Sequence, residues 1–147
     1  MPAVTRRTLL ESLSSVPLLS AALLAASHRA DPKQASTTVY ELRVYHAAPG
    51  KLGELLTRFR EHTTKLFEKH GMKNIAYWTP VDEPERDNML IYILQHPSRE
   101  AATANWKSFQ DDPEWKRVKE ESEAKGKLAE KIDSTFLVLT DFSPPLQ

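Results

Sequence analysis

The stretch from Val39 to His70 constrains this chain most. Val39 to His46, V-Y-E-L-R-V-Y-H, is β-branched, aromatic or long-chained almost throughout, and alternation gives Tyr40, Leu42 and Val44 one face and Glu41, Arg43 and Tyr45 the other. The pattern predicts a strand with one fully apolar face and one that mixes charge with aromatic surface. Pro49 and Gly50 break it. Leu52, Leu55, Leu56, Phe59, Thr63, Leu66 and Phe67 then recur at spacings of three and four, a single apolar stripe on a helix that Gly71 ends.

The rest of the chain repeats this plan. Asn74 to Thr79 reads as a second strand, closed by Pro80. In Val81 to Asn88, Asp82, Glu83, Glu85 and Asp87 cluster around Pro84 and Arg86. A calcium loop needs oxygen ligands at alternate positions and a turn glycine, so this is read as a solvated hairpin loop and no metal is expected. Met89 to His96, M-L-I-Y-I-L-Q-H, is the strongest strand, and its near-continuous apolarity predicts burial on both faces. Ser98 caps a second helix carrying Ala102, Trp106 and Phe109 on one side, which stops at Asp111-Asp112. Pro113 restarts it, and a charged continuation runs to Lys131, with Gly126 ending or bending it. Ser134 to Phe142 is expected to be the last strand, and Ser143 to Gln147 a tail.

Two β-α-β units in series predict an α+β chain with the ferredoxin-like β-α-β-β-α-β sandwich, a four-stranded antiparallel sheet with helices on one side. The uncovered face would carry apolar residues from Met89 to Leu94. A second copy is the expected cover, making a homodimer.

With 147 residues the chain holds one domain beyond a leader. Its 20 basic and 20 acidic residues cancel, which argues against a nucleic-acid partner or an anionic membrane surface. The absence of cysteine removes disulfides, thiolate nucleophiles and Cys-ligated metal centres, so stability must come from packing. At the N-terminus Arg6-Arg7 precedes hydrophobic residues, and Val16 to Ala26 is an apolar run too short for a bilayer, which takes roughly 20 residues. Residues 1–27 therefore resemble a twin-arginine export signal, although Thr5 and Glu11 stand where that pattern more often has Ser and Lys. Ala25, Ala26 and Ser27 suit a cleavage site. Removing residues 1–27 leaves one more acidic than basic residue and no transmembrane helix. Residues 28–37 read as a flexible linker and 38–143 as the domain, placed in the periplasm or secreted, with retention of the leader as an anchor the other reading.

Specific residues resemble the NIPSNAP family: Y-E-L-R-V-Y at Tyr40 to Tyr45, P-G-K-L at Pro49 to Leu52, K-H-G at Lys69 to Gly71, the Trp78 strand, Arg99 seven residues before Trp106, and F-Q-D-D-P-E-W at Phe109 to Trp115. The similarity runs from Tyr40 to Phe142. It implies a dimeric α+β barrel, two ferredoxin-like subunits joined sheet to sheet, in a superfamily that includes cofactor-free monooxygenases and haem proteins. It carries no agreed catalytic residue to this chain.

No Gly-rich phosphate loop, G-x-S-x-G elbow or H-E-x-x-H helix occurs. Barrels of the resembled type keep their cavity between sheet and helices, and the ligand-pocket candidates are Arg43, Tyr45, Trp78, Tyr92, Trp106 and Trp115. Aromatics at such spacing otherwise form plain core. Arg43 could bind a carboxylate or pair with Glu41. His62, at the border of the first helix's apolar stripe, is the weak catalytic candidate, a general base for a phenol or quinol if it faces the cleft. Haem would need one of His46, His62, His70 or His96 in a deep apolar slot; nothing selects one, and no cofactor is expected. Two readings stay open. One is a cavity that binds or oxidises a small aromatic or quinone-like ligand without a cofactor. The other is a non-catalytic envelope interaction module that meets a partner through the charged helix from Glu114 to Lys131. They differ in whether the helix–sheet cleft is open or filled.

Overall fold

A computed structural model describes residues 38–146; the export signal and the linker expected at the N-terminus lie outside the described residues. The first strand, β1 (Val39–Ala47), runs one residue past its expected end. A long helical rod follows: α1 (Leu52–Arg58), a π-helical turn at Phe59–Thr63, and α2 (Thr64–Lys69). In the π turn the Thr64 N–H donates to the Phe59 carbonyl, and the Thr63 hydroxyl lies 3.3 Å from the Arg58 carbonyl. Such a turn inserts one residue into the helical repeat, and here it sits where both Arg58 and Phe59 are buried. Gly71, at φ +75°, closes the rod as expected.

Strand β2 (Lys73–Trp78) leads through an acidic loop with a 3₁₀ turn at Glu85–Asp87 into β3 (Met89–His96), whose bounds match the expected ones. Helix α3 (Arg99–Asp111) is capped by Ser98, whose Oγ accepts from the Ala101 N–H at 3.0 Å. Helix α4 (Pro113–Ser122) is capped by Asp112, which accepts from the Glu114 N–H at 2.7 Å. Both caps were legible in the sequence.

The final strand was not. It is β4 (Ala129–Leu137), not 134–142, and α4 stops at Ser122 instead of running toward Lys131. The reason lies in the pairing. β4 is an edge strand aligned with β1, Tyr45 opposite Ile132 and Tyr40 opposite Leu137. An edge strand tolerates the charged Glu130, Lys131 and Asp133, while the apolar run beyond Leu137 leaves the sheet, with Val138 61% exposed.

The sheet order is β2-β3-β1-β4, all antiparallel, the ferredoxin-like arrangement predicted. The side of β1 that faces the helices is the mixed one: Val39, Glu41, Tyr45 and Ala47 are buried, while Tyr40, Leu42 and Val44 lie half-buried on the open side. In β3, Leu90, Tyr92, Leu94 and His96 are buried, but Ile91 and Ile93 are only half-covered, so burial on both faces is not realised within one chain. The helix-side core is an aromatic stack. Phe59 meets Tyr92 at 5.3 Å, Phe67 meets Phe109 at 5.0 Å and Tyr77 stacks on Tyr92 at 5.1 Å. Burial of a ring such as Phe67 contributes about 3 kcal/mol.

Candidate functional site

Alternation along β1 sends Glu41, Arg43 and Tyr45 under the helices in sequence, and the packing is built around the first of them. Glu41 is 1% exposed and accepts from four side chains. Oε1 receives Arg43 Nη1 at 2.8 Å and Ser134 Oγ at 2.7 Å; Oε2 receives Trp106 Nε1 at 2.6 Å and lies 3.0 Å from His96 Nε2. The donors come from β1, β4, α3 and β3, so one carboxylate joins three strands and a helix. Burial by itself would raise its pKa, but the hydrogen bonds from His96, Ser134, Trp106 and Arg43 outweigh that and hold it at about 2. Glu41 is therefore an ionised buried group with its acceptors filled, and such a group orients its donors rigidly.

The orientation matters most for Arg43. Its guanidinium lies 4.2 Å from the centre of the Trp106 ring and 5.7 Å from that of Tyr45. Burial acts against its charge, yet Tyr92, Tyr45 and Glu41 keep its pKa above the ordinary arginine value. A second arginine, Arg58 at the end of α1, is 5% exposed. Its Nη1 lies 2.9 Å from Glu123 Oε1 and 3.3 Å from Ser122 Oγ, and its guanidinium lies 5.2 Å from the Trp115 ring centre.

Between α3, α4 and the β1–β4 side of the sheet lies a cavity of about 540 Å³. Arg43, Tyr45, Arg58, Trp106 and Trp115 line it, with Lys116, Lys119, Glu123 and Lys127 among the others. A cavity of this size, walled by four aromatic and six charged side chains, suits a molecule of one to three rings that carries a polar group. The helix–sheet layer is thus filled by aromatics through its middle and open at this end.

The structure brings four of the six pocket candidates together: Arg43, Tyr45, Trp106 and Trp115. Tyr92 is fully buried beneath them, stacked on Tyr77 and 5.5 Å from Tyr45, a packing residue without a face in the cavity. Trp78 lies on the opposite side of the sheet, 48% exposed, opposite Ile91. His62 lies in a different groove, of about 560 Å³, with Gly53, Thr57, Arg58, Glu61 and Val118, and its Nε2 is 3.9 Å from Glu61.

Sequence reasoning missed the parts played by Glu41 and Arg58, and placed His96 only among the haem candidates. Glu41 was read only as an ion-pair partner for Arg43; the available signal was that it shares one face of β1 with Arg43 and Tyr45. His96 follows Leu90, Tyr92 and Leu94 at even spacing, which places it inside. Arg58 carried no signal, because the π turn that follows it is not written in the periodicity. His46, one of the four haem candidates, is on the open face, 3.0 Å from Asp133. Another, His70, is held between Ser108 at 2.7 Å and Asp112 at 2.6 Å, with Lys69 2.8 Å from the same carboxylate. This clamp joins the end of α2 to the α3–α4 turn, and the lysine and histidine hold the Asp112 carboxyl far below the usual range. Among the described residues no group of three His, Cys, Asp or Glu side chains converges as metal ligands do, and no helix is long and apolar enough to cross a membrane.

A ferredoxin-like sandwich with one bare sheet face and a cavity under its helices is the fold unit of the dimeric α+β barrel proteins. Family comparison is more specific: the NIPSNAP family model matches residues 40–144, and the chain belongs to the NIPSNAP family. Among solved structures, an uncharacterised NIPSNAP-like domain protein from Burkholderia xenovorans is similar at a TM-score of 0.64 and 18% identity, over 76% of this chain and 93% of that one. A NIPSNAP-family protein of unknown function from Agrobacterium tumefaciens has a TM-score of 0.64 at 17% identity, over 76% and 96%. A monooxygenase of Streptomyces coelicolor, solved with nanaomycin D bound, has a TM-score of 0.53 at 13% identity, over 75% and 94%. No curated protein matches the sequence.

Proposed function

We propose that this NIPSNAP-family chain binds a small aromatic or quinone-like molecule in the cavity under α3 and α4, and that a phenol or quinol bound there is oxidised without a cofactor, its electrons passing to dioxygen. One observation carries the reading: the cavity of about 540 Å³ walled by Tyr45, Trp106 and Trp115. Flat rings gain most from such walls, through stacking and burial of their faces. Arg43 and Arg58 supply positive charge beside those walls, which favours the ionised form of a phenol or quinol, the form that gives up electrons most readily. The similarity of fold to a Streptomyces monooxygenase with a bound ligand supports the same reading. His62, in the other groove, is no part of this site, so proton removal rests on the arginines lowering the ligand's own pKa. The paired Arg6-Arg7 and the apolar run to Ala26 support export to the periplasm, and the half-covered apolar sheet face supports a homodimer.

The interaction-module reading loses ground, because Lys116 and Lys119 of α4 line the cavity. Calorimetric titration with 1,4-dihydroxynaphthalene and 1,4-naphthoquinone tests the binding. The expected result is saturable binding, one molecule per chain, weakened roughly tenfold or more by Trp115→Ala, the loss of one stacking wall. Binding indifferent to Trp115→Ala, or no binding, would refute the site.

A further inference from the structure

Among the described residues that line the cavity, five carry positive charge, Arg43, Arg58, Lys116, Lys119 and Lys127, against the single carboxylate of Glu123. The lysines are exposed, and none has a carboxylate within ion-pair distance among the described residues. The arginines are different in kind. The Arg43 side chain is 15% exposed and that of Arg58 is 5% exposed, and in each the Nε is buried without a hydrogen-bond partner. Those buried Nε atoms are closed to a ligand, so contact with one falls to the outer ends of the guanidiniums, each of which already holds one carboxylate through Nη1. Burial also leaves a cation poorly screened, so its attraction for an anion in the cavity is stronger than at the surface. Each guanidinium is held in place beforehand, Arg43 by Glu41 and the Trp106 ring, Arg58 by Glu123 and Ser122, so little ordering is lost on binding.

Resting on the proposed aromatic site, we infer that its ligand is an acid: a planar ring bearing a carboxylate, the carboxylate taken by Arg43 and Arg58 while the ring lies against Trp106 and Trp115. A carboxylate matches the planar guanidinium fork, and the same pairing is already present in the contact of Glu123 with Arg58 at 2.9 Å. The lysines at the rim speed the approach of such an anion.

The test compares 1-hydroxy-2-naphthoate with 1-naphthol, the same ring with and without the acid, by calorimetry on the full chain at low and at physiological salt. The expected result is roughly tenfold or greater preference for the naphthoate. That preference shrinks with added salt and falls toward unity in Arg58→Gln. Lys119→Gln, a surface change that leaves the packing untouched, should reduce the salt dependence and so reports even if an arginine variant fails to fold. Equal binding of both molecules overturns the acid ligand and leaves the aromatic cavity standing. Binding of neither overturns both.

Discussion

Glu41 shows how much one residue can determine. A carboxylate 1% exposed would be expelled or protonated if unpaired, but with four donors it stays ionised and its pKa falls from 4.5 to about 2. The folded state therefore prefers the charged form, and the stabilisation is complete above pH 4.5 and lost as pH falls toward 2. Glu41→Gln should lower stability at pH 7 by on the order of 2 kcal/mol, because an amide accepts fewer of the four bonds and faces Arg43 without charge. It should also make the loss of stability between pH 4.5 and 2 shallower than in the native chain. Urea unfolding at several pH values measures both, and an unchanged acid limb would show that the depression of pKa belongs to other groups. The alternation of β1 was legible; that Glu41 lies inside was not, since a charge at an alternate position ordinarily signals solvent and only the donors from β3, β4 and α3 reverse that.

At the scale of elements, the helices were read well because their ends are local. Ser98, Asp112 and Pro113 satisfy N–H groups within a few residues, and Gly71 permits the backbone that ends α2. Gly71 sits at φ +75°, and a Cβ there would lie 3.1 Å from Asn105 Nδ2, the atom that donates to the Gly71 carbonyl at 3.0 Å. Gly71→Ala is therefore expected to destabilise by about 1–2 kcal/mol. Gly53, inside α1, has open space around its Cβ position, and Gly53→Ala should stabilise by about 0.5–1 kcal/mol. Thermal unfolding of the pair checks the sign of each; a matching sign would show that helix propensity, not the turn, governs both. The π turn and the position of β4 escaped the same reading because neither is local. The turn leaves the apolar stripe intact, and β4 takes its register from β1 across the sheet.

For the molecule as a whole, the open sheet face is the unfinished part. Leu42, Val44, Ile91 and Ile93 lie side by side there, with Leu42 opposite Ile93 and Val44 opposite Ile91, all half-buried. Trp78 at 48% and Leu137 at 40% exposure extend this surface on either side. Apolar area of this kind drives self-association, and the two-fold pairing of like faces is its simplest form. The native chain should run as a dimer in native mass spectrometry, and Leu42→Arg should yield a folded monomer with an unchanged circular dichroism spectrum. A monomeric native chain would remove the homodimer from the proposal, and a Leu42→Arg dimer would move the contact to another face.

What the sequence by itself determined is what depends on near neighbours: the order β-α-β-β-α-β, the bounds of β3, the helix caps, the closing Gly71 and, through Y-E-L-R-V-Y and D-P-E-W, membership of the NIPSNAP family. Only the tertiary structure decided which side of β1 is core, where β4 begins, and which aromatics share a cavity. Period-two alternation states that Glu41, Arg43 and Tyr45 share a face, but helices must be laid over the sheet before that face has an inside. Trp106 and Trp115 likewise meet Arg43 and Arg58 only after the α3–α4 turn brings two helices over the sheet, and His62 is excluded by the same packing.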